Sequence, residues 1–175
     1  MFEHFAPLIC ERVALQSFSE DDITTEYIGW LNNPEVVKYS NQKFVSHTME
    51  SSLVYLHSFS NTGNIYLSIK NNNKLIGSIT AYIQSNHATA DMGLMIGDQE
   101  SWGKGFGLEV WSNLMEHLFA SKNIRKVTGG TLATNVGMIK IMEKSGMLLE
   151  AIRYKQEVVD GSPVDILYFS KFNDA

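Results

Sequence analysis

The sequence predicts an α/β fold in which a mixed, mostly antiparallel sheet of about seven strands carries helices on both faces. The chain has 175 residues, 44% of them hydrophobic and 19% charged, which suits one domain with a substantial core. Segments with the two-residue period of strands alternate with segments of helical periodicity, and turn residues separate consecutive β-rich segments. Three prolines and no low-complexity stretch leave no linker, so we expect a single domain over residues 1–175.

The first third of the chain is predicted to be mostly helical. Ser19 is followed by three acidic residues, a composition that suits a helix N-terminus, and this helix is expected to reach Leu31 before an Asn-Asn-Pro sequence ends it. A second helix is expected over 49–59, with Thr48 or Ser46 as its N-cap.

The rest of the chain is predicted to be β-rich, with two further helices. The predicted strands lie at 12–16, 64–70, 74–84, 89–96, 126–131, 147–159 and 164–172, and the two helices at 104–121 and 136–144. Three asparagines at 71–73 tolerate the positive φ of a tight hairpin turn, and Asp160 with Gly161 is a second hairpin signal. Gly146 suits a left-handed C-terminal cap of the helix that precedes it.

The charge balance argues against nucleic acid as a partner. Fourteen Lys and Arg against nineteen Asp and Glu give a net charge of −5 and a pI near 5.5, so no broad basic face is expected. The longest uncharged run, residues 51–69, is polar in its middle and is not expected to enter a membrane. The five histidines are scattered without ligand spacing, so no metal site is predicted.

The single cysteine, Cys10, bears on the compartment. It cannot form an internal disulfide, which favours a reducing environment, and residues 1–12 lack the basic and apolar pattern of a secretory signal. We therefore expect a cytoplasmic protein. Cys10 has no identifiable basic partner, so it is expected to be a small hydrophobe and not a nucleophile.

The most informative segment is Trp-Gly-Lys-Gly-Phe-Gly at 102–107, between a predicted strand and an amphipathic helix. Glycine lets a ligand approach the main chain, and successive N–H groups at a helix start form a positive concavity for phosphate. The segment predicts a pyrophosphate site, with a tight strand-to-helix connection as the alternative. No Ser or Thr follows Gly103 and Lys104, and residue 108 is Leu, so neither the nucleoside triphosphate motif nor the dinucleotide fingerprint fits.

This segment resembles the cofactor loop of the GNAT acyltransferase superfamily, which reads Gln or Arg, any, any, Gly, any, Gly or Ala. Trp102, Gly105 and Gly107 fall on its defining positions, and Trp102 departs from the Gln or Arg. The segment is similar to the branch that contains the ribosomal-protein alanine acetyltransferases and many bacterial sugar and antibiotic acetyltransferases. Further segments that resemble this branch lie at 30–36, 91–94, 135–147 and 165–168.

The resemblance implies acetyl-CoA as the cosubstrate and a splay between the fourth and fifth strands that admits its pantetheine arm. The main chain of Leu94, Met95 and Ile96 would pair with the pantetheine amides and stabilise charge on the thioester oxygen. The glycine loop would hold the phosphates, helped by nearby lysines. The implied cofactor-binding residues are Leu94, Met95, Ile96, Trp102, Gly103, Lys104, Gly105, Phe106, Gly107, Asn135 and Lys140. Asn135 suits the N-cap of the next helix equally well.

The resemblance also implies direct acetyl transfer, with no covalent enzyme intermediate. Asp91 on the fourth strand is the expected general base, acting directly or through a water molecule. A plain ion-pair role for Asp91 is the alternative. His87 and Glu100, which lie in predicted turns, are the other candidate bases.

The proton donor for the leaving thiolate stays open at this stage. Many superfamily members carry a Tyr where this chain has Met142, and this branch often has Ser where this chain has Met138. Neither methionine can donate a proton. Water, Tyr154 or Tyr168 is expected to supply it instead.

We therefore expect an acetyl-CoA-dependent N-acetyltransferase that acts on a primary amine, either of a small molecule such as an amino-sugar nucleotide or of a protein N-terminus. The expected acceptor side, residues 27–47 and the closing hairpin, is rich in Tyr, Asn and Gln, which disfavours polyamines and aminoglycosides. The alternatives are a non-catalytic acyl-CoA-binding or sensing module and a structural domain with an empty glycine loop. Exposed edge strands are compatible with a homodimer.

Overall fold

The computed structural model describes residues 5–173, so the first four and the last two residues of the predicted domain lie outside it. Within this range the chain forms eight strands and four α-helices. The strands are β1 (Leu8–Ile9), β2 (Ala14–Ser17), β3 (Ile65–Asn71), β4 (Lys74–Gln84), β5 (Thr89–Ile96), β6 (Lys126–Leu132), β7 (Leu148–Val159) and β8 (Ser162–Phe172). The helices are α1 (Thr25–Leu31), α2 (Met49–His57), α3 (Phe106–Ser121) and α4 (Val136–Lys144).

The described strands form one sheet in the order β1-β2-β3-β4-β5-β6-β8-β7. β5 and β6 are parallel, and the other neighbouring pairs are antiparallel, which confirms the mixed, mostly antiparallel prediction. The unpredicted strand, β1, has two residues and is too short to give a periodic signal. Both hairpin turns are confirmed, with positive φ at Asn72, Asn73, Asp160 and Gly161.

The predicted helix that starts at Ser19 is wrong in its first half. Residues Glu20–Asp22 form a separate 3-10 turn, closed by a bond from the Ser19 main-chain N–H to Asp22 Oδ2 at 3.0 Å. This capping box is complete within one turn, and Ile23 leaves the helical conformation with ψ of 72°. α1 then starts afresh, with Thr24 as its N-cap.

Two apolar cores lie on opposite faces of the sheet, which confirms helices on both faces. α3 and α4 contribute Trp111 and Met142 to one core, and α1 contributes Trp30 to the other, which also contains Tyr66 of β3. Gly129 allows α3 to lie close to β6, because a Cβ at this position would be 2.9 Å from the Trp111 ring. The sheet therefore lies between two helical layers.

The sheet opens between β5 and β6, as the predicted splay requires. Their register covers only Thr89↔Lys126, Ala90↔Val127 and Asp91↔Thr128. Beyond this point β5 continues beside β4, and β6 continues beside β8. Residues 92–96 of β5 and 129–132 of β6 have no register partner in each other within the described chain, and we call the gap between them the strand opening.

Candidate active site

The main chain of β5 lines the strand opening on one side. In an antiparallel ladder alternate residues turn their N–H and C=O groups to the same neighbour, and the Gly97 N–H donates to Ile76 O in β4 at 2.9 Å. Met95, two residues earlier, therefore also faces β4, while Leu94 and Ile96 face the opening. Of the three residues predicted to bind pantetheine, the geometry thus offers the main chain of two.

Trp102 ties the glycine turn, residues 102–107, to the end of β5. Its indole Nε1–H donates to Ile96 O at 2.7 Å, although 43% of the residue is exposed. The bond occupies the Ile96 carbonyl and leaves the Leu94 groups and the Ile96 N–H facing the opening.

The N-terminus of α3 has no side-chain cap, in contrast to the other three described α-helices. Thr24, Thr48 and Asn135 cap α1, α2 and α4 through side-chain oxygens, whereas Gly105 occupies the N-cap of α3. The first α3 hydrogen bond runs from Glu109 N to Gly105 O at 3.1 Å. The N–H groups of the preceding residues at this helix end thus have no intrahelical acceptor, which is the arrangement that binds anions.

Each glycine of this turn serves a different purpose. Gly103 and Gly105 have φ of +72° and +85°, which side-chain-bearing residues rarely adopt. Around Gly103 a Cβ would meet nothing within 4 Å, so the turn is open on this side. At Gly107 a Cβ would lie 2.8 Å from Ile141 Cδ1, so this glycine lets α3 approach α4. Because Gly105 has positive φ, α3 starts at Phe106 and not at the predicted Lys104.

Arg12, near the N-terminal end of the chain, is hydrogen-bonded to the glycine turn and to α3. Its Nη1 donates to Lys104 O at 2.7 Å, and its Nε and main-chain N donate to the Glu109 carboxylate at 2.8 and 2.7 Å. Its guanidinium also lies 4.9 Å from the centroid of the Phe106 ring. Arg12 neutralises a carboxylate that would otherwise repel an anion at the start of α3. Sequence reasoning missed it, because no local pattern links residues so far apart in the chain.

The other predicted cofactor-binding residues lie around α4. Asn135 Oδ1 accepts from Met138 N at 3.2 Å, and its Nδ2 donates to Thr131 Oγ1 at 3.0 Å. The capping role expected for Asn135 is therefore confirmed, and cofactor contact stays a prediction. Lys140 lies exposed on α4, and Lys104 lies exposed in the turn, so both ammonium groups are accessible to an anionic ligand.

A cleft of about 330 Å³ adjoins the strand opening, and residues from the loop between α1 and α2 line part of it. Five separate stretches of the chain form its wall. The lining residues are Tyr39, Ser40, Asn41, Lys43, Asp91, Met92, Gly93, Gly130, Thr131, Leu132, Glu157, Val159, Ile166 and Tyr168. Two titratable carboxylates, Asp91 and Glu157, therefore lie in one cleft.

Asp91 stands where β5 and β6 begin to separate. Its Oδ1 accepts from Thr128 Oγ1 at 2.6 Å. Although the residue as a whole is exposed, loss of solvent around its carboxyl group raises its pKa, and the Thr128 hydrogen bond opposes this shift. A raised pKa makes a carboxylate a more effective general base, because its pKa then lies closer to the working pH. His87 and Glu100, the other candidate bases, are exposed in 3-10 turns and do not line the cleft.

Of the two tyrosines predicted as proton donors, only one lies in the cleft. Tyr168 lines the cleft, and its hydroxyl accepts from Arg153 Nη1 at 3.5 Å. Tyr154 is 76% exposed and does not line the cleft. Met142 is fully buried in the core, and Met138 packs against that core, so neither side chain offers a proton.

Only part of the predicted range 27–47 contributes to the acceptor side of the cleft. Tyr27, at the start of that range, is buried and shares a hydrogen bond of 2.5 Å with the Tyr66 hydroxyl, so it belongs to the core and not to the cleft. The loop that contributes Tyr39 is held at its base, where Asn32 Nδ2 donates to His47 O and Asn32 Oδ1 accepts from His47 N, both at 2.9 Å.

Cys10 lies half-buried beside the first core. Burial, with a smaller contribution from the Glu109 charge, raises the pKa of its thiol to about 11. The thiol therefore stays protonated at neutral pH, because thiolate forms only near the pKa. This agrees with the expected role as a small hydrophobe.

The described residues offer neither a membrane span nor a metal site. None of the helices between residues 5 and 173 has the length and hydrophobicity of a membrane-spanning segment. The same part of the chain contains no group of three His, Cys, Asp or Glu side chains placed to hold a metal ion.

The splayed sheet and the uncapped glycine turn beside it define a class, the GNAT fold. An acetyltransferase of the GNAT family from Bacillus anthracis has this fold, with a TM-score of 0.82 at 18% identity over 97% of this chain and 100% of that one. The family model described as "Acetyltransferase (GNAT) domain" matches residues 12–148, and the chain belongs to this family.

Other comparisons extend this result. The uncharacterized N-acetyltransferase p20 of Bacillus licheniformis is 24% identical over 169 residues, which are 93% of this chain and 94% of that protein. Spermidine N-acetyltransferase of Vibrio cholerae, solved with CoA and spermine, has a TM-score of 0.80 at 18% identity, covering 93% and 96% of the two chains. Ribosomal-protein-S5-alanine acetyltransferase of Vibrio fischeri has a TM-score of 0.79 at 20% identity, covering 97% and 98%. The family and the CoA complex are consistent with acetyl-CoA as cosubstrate.

Proposed function

We propose that this chain is an acetyl-CoA-dependent N-acetyltransferase that transfers an acetyl group directly to a primary amine. The observation that carries the proposal is the uncapped N-terminus of α3 near the strand opening, together with the cleft that Asp91, Gly93 and Gly130 line at the same opening. An anionic cofactor and a basic acceptor would thus meet at one point of the sheet. The acceptor is a small-molecule amine or a protein N-terminus.

Three features of the chain fit acetyl-CoA. The free N–H groups at the start of α3 suit its diphosphate, and the open space at Gly103 leaves room for it. The main chain of Leu94 and Ile96 suits pairing with the pantetheine amides. The exposed ammonium groups of Lys104 and Lys140 would offset the negative net charge of the protein. When bound, acetyl-CoA supplies an acetyl group activated as a thioester.

The cleft side chains would handle the protons of the transfer. Asp91 accepts a proton from the acceptor ammonium, directly or through water, because only the neutral amine is nucleophilic. Main-chain N–H groups at the strand opening stabilise the charge that develops on the acetyl oxygen. The Tyr168 hydroxyl holds a proton at the cleft wall, where it is available to the leaving sulfur. No side chain of the protein needs to carry the acetyl group.

Incubation of the purified protein with acetyl-CoA and an amine panel tests the proposal. The panel contains an amino-sugar nucleotide, a peptide with N-terminal alanine, and putrescine; thiol release and product mass are followed together. We expect one acetylated amine molecule for each CoA thiol that is released. Binding of acetyl-CoA without thiol release would instead support the acyl-CoA-binding module, and absence of binding would support the structural domain.

The proposal also includes the compartment and the assembly. The unpaired thiol Cys10 favours the reducing cytoplasm. β7 is an edge strand with exposed apolar side chains at Leu148, Tyr154 and Val158, which favours a homodimer joined along this edge. Light scattering of the purified protein tests the assembly, and a monomer at micromolar concentration would contradict it.

A further inference from the structure

A bulge in β7 changes which side chain faces the cleft. The register between β7 and β8 pairs Arg153 with Ile166 but then pairs Glu157 with Val164, so β7 contains two extra residues between these pairs. Lys155, inside the bulge, has φ of +50°, and its main-chain N–H donates to Asp165 Oδ1 at 2.7 Å. The side chain of Asp165 thus holds the bulge in place.

The bulge exchanges a cation for an anion at one position of the cleft. In a continuous antiparallel ladder Lys155 would lie opposite Val164, two residues after Arg153. The two extra residues place Glu157 there instead. Glu157 and Val159 line the cleft and are the half-buried residues of β7, whereas Lys155 is exposed. The local backbone therefore determines the sign of the charge on this wall.

Glu157 differs from the other charged groups around the cleft. Asp91 accepts a hydrogen bond from Thr128, and Lys43 lies 3.4 Å from Lys38 O and 5.1 Å from the Phe44 ring centroid. The Glu157 carboxylate has no hydrogen bond or ion pair within residues 5–173. The residue is half-buried in the cleft wall, and its carboxylate makes no polar contact among the described residues. A carboxylate without a partner in the cleft wall can pair with a cationic group of a ligand.

We propose that Glu157 is a specificity-determining residue that binds a second protonated amino group of the acceptor, while the reacting amine lies at Asp91. The acceptor class is then a diamine or polyamine. This rests on the proposed function and narrows it. An amino-sugar nucleotide would bring its own negative charge towards two carboxylates, and a peptide N-terminus with an uncharged second residue would leave Glu157 unpaired.

Matched pairs of acceptors test this role. Putrescine, cadaverine and hexamethylenediamine are each compared with the alkylamine in which a methyl group replaces the distal ammonium: n-pentylamine, n-hexylamine and n-heptylamine. For at least one pair we expect the wild-type kcat/KM to favour the diamine by about tenfold or more. In Glu157→Gln this preference should disappear through a loss on the diamine alone, with kcat/KM for the alkylamine unchanged within about twofold.

Two further variants separate charge recognition from general damage. Asp165→Ala removes the acceptor that holds Lys155 N, so it should lower the diamine preference, whereas Asp165→Asn keeps an oxygen there and should retain it. Glu116→Gln makes the same charge change on the exposed part of α3 and should leave the preference unaltered.

The outcomes distinguish this inference from the proposed function. An enzyme that acetylates the alkylamines or the alanine peptide as well as any diamine, or whose diamine preference survives Glu157→Gln, overturns the role of Glu157 and leaves the acetyltransferase proposal standing. Failure to acetylate any amine, with acetyl-CoA bound, overturns both. Loss of the preference in Glu116→Gln would show that overall charge, and not Glu157, attracts diamines.

Discussion

The two sides of the strand opening are built in different ways. On the cofactor side, the end of β5 and the glycine turn form one short stretch of chain, and the groups offered to a ligand are main-chain N–H groups. On the acceptor side, five separate segments meet, and we propose that Asp91 and Tyr168 handle the protons of the transfer while Glu157 binds the acceptor. A main-chain site needs a particular backbone, whereas a side-chain site needs particular residues brought together.

This difference teaches where substitutions should act. Changes that disturb the backbone of the turn should weaken acetyl-CoA binding and leave the choice of acceptor alone. Changes of cleft side chains should alter turnover or acceptor choice and leave acetyl-CoA binding alone. Asp91, which lines the cleft at the last pair between β5 and β6, is the most exacting test of this separation.

Asp91→Asn should have the largest effect, a fall in kcat of about hundredfold, because a positioned general base contributes at least that much. Acetyl-CoA affinity should stay within about twofold, since the residue lies on the acceptor side. Steady-state kinetics and calorimetric titration measure the two quantities. A normal kcat would remove Asp91 from the chemistry, and a large loss of affinity would break the separation of the two sides.

The pH dependence gives a second readout for Asp91. Its folded-state pKa is raised, so the acidic limb of the wild-type rate should lie above the ordinary range of an aspartate and should disappear in Asp91→Asn. The effect of pH on folding stability has the opposite sign to that of a carboxylate in an ion pair, whose pKa is lowered. A raised pKa stabilises the fold at low pH, and this contribution is lost as pH rises through the folded pKa, so the asparagine variant should not be less stable at neutral pH.

Gly103→Val should raise the Kd for acetyl-CoA by about thirtyfold, because positive φ is strained for a β-branched residue and the side chain would fill the open space of the turn. Gly63→Val is the matched control. Gly63 has φ of +75° and is equally open, but it lies in the loop before β3. Both variants should lose similar stability in urea, and only the first should lose affinity. Equal loss in both would mean that general strain is the cause.

Tyr168→Phe should lower kcat by about tenfold, if its hydroxyl supplies the proton for the leaving sulfur. Tyr154→Phe is the matched control, since it removes a hydroxyl from an exposed tyrosine of the neighbouring strand. Rapid-quench measurement of the chemical step compares the two. A normal rate for Tyr168→Phe would leave water as the proton donor.

Arg12→Lys should have the smallest effect, a rise of about fivefold in KM for acetyl-CoA with kcat unchanged within about twofold. Lysine keeps the charge beside Glu109 but cannot also reach Lys104 O, so the turn loses the hydrogen bond that holds it to residue 12. Glu116→Gln again serves as the control for surface charge. A fall in kcat as large as the expected rise in KM would show that Arg12 affects more than the position of the turn.

The sequence predicted what is local in this molecule. The glycine turn, the hairpins at Asn72 and Asp160, and the cap by Asn135 depend on a few adjacent residues, and their positions could be predicted to within one or two residues. The strand opening was predicted only through the family resemblance. The break in the helix after Ser19 was missed because the same acidic residues suit a helix start and a closed capping box.

The missed features depend on contacts between distant segments. Arg12 reaches Glu109 only because β2 lies beside β3 and α3 crosses that face of the sheet. Glu157 lies in the cleft only because of the β7 bulge, and a bulge of this kind leaves no clear mark on the hydrophobic pattern. The sequence therefore suggested an acceptor side poor in acids, and the folded chain brings two carboxylates into it.

The central claim is that main-chain N–H groups of residues 103–107 hold the diphosphate of coenzyme A. Titration of the isotopically labelled protein with CoA, and separately with pantetheine, follows the backbone amide resonances. We expect the largest amide shifts at Gly103, Gly105 and Gly107 with CoA, and only small shifts there with pantetheine, which lacks the diphosphate. Unchanged resonances at these glycines under saturating CoA, or equal shifts with both compounds, would contradict the account.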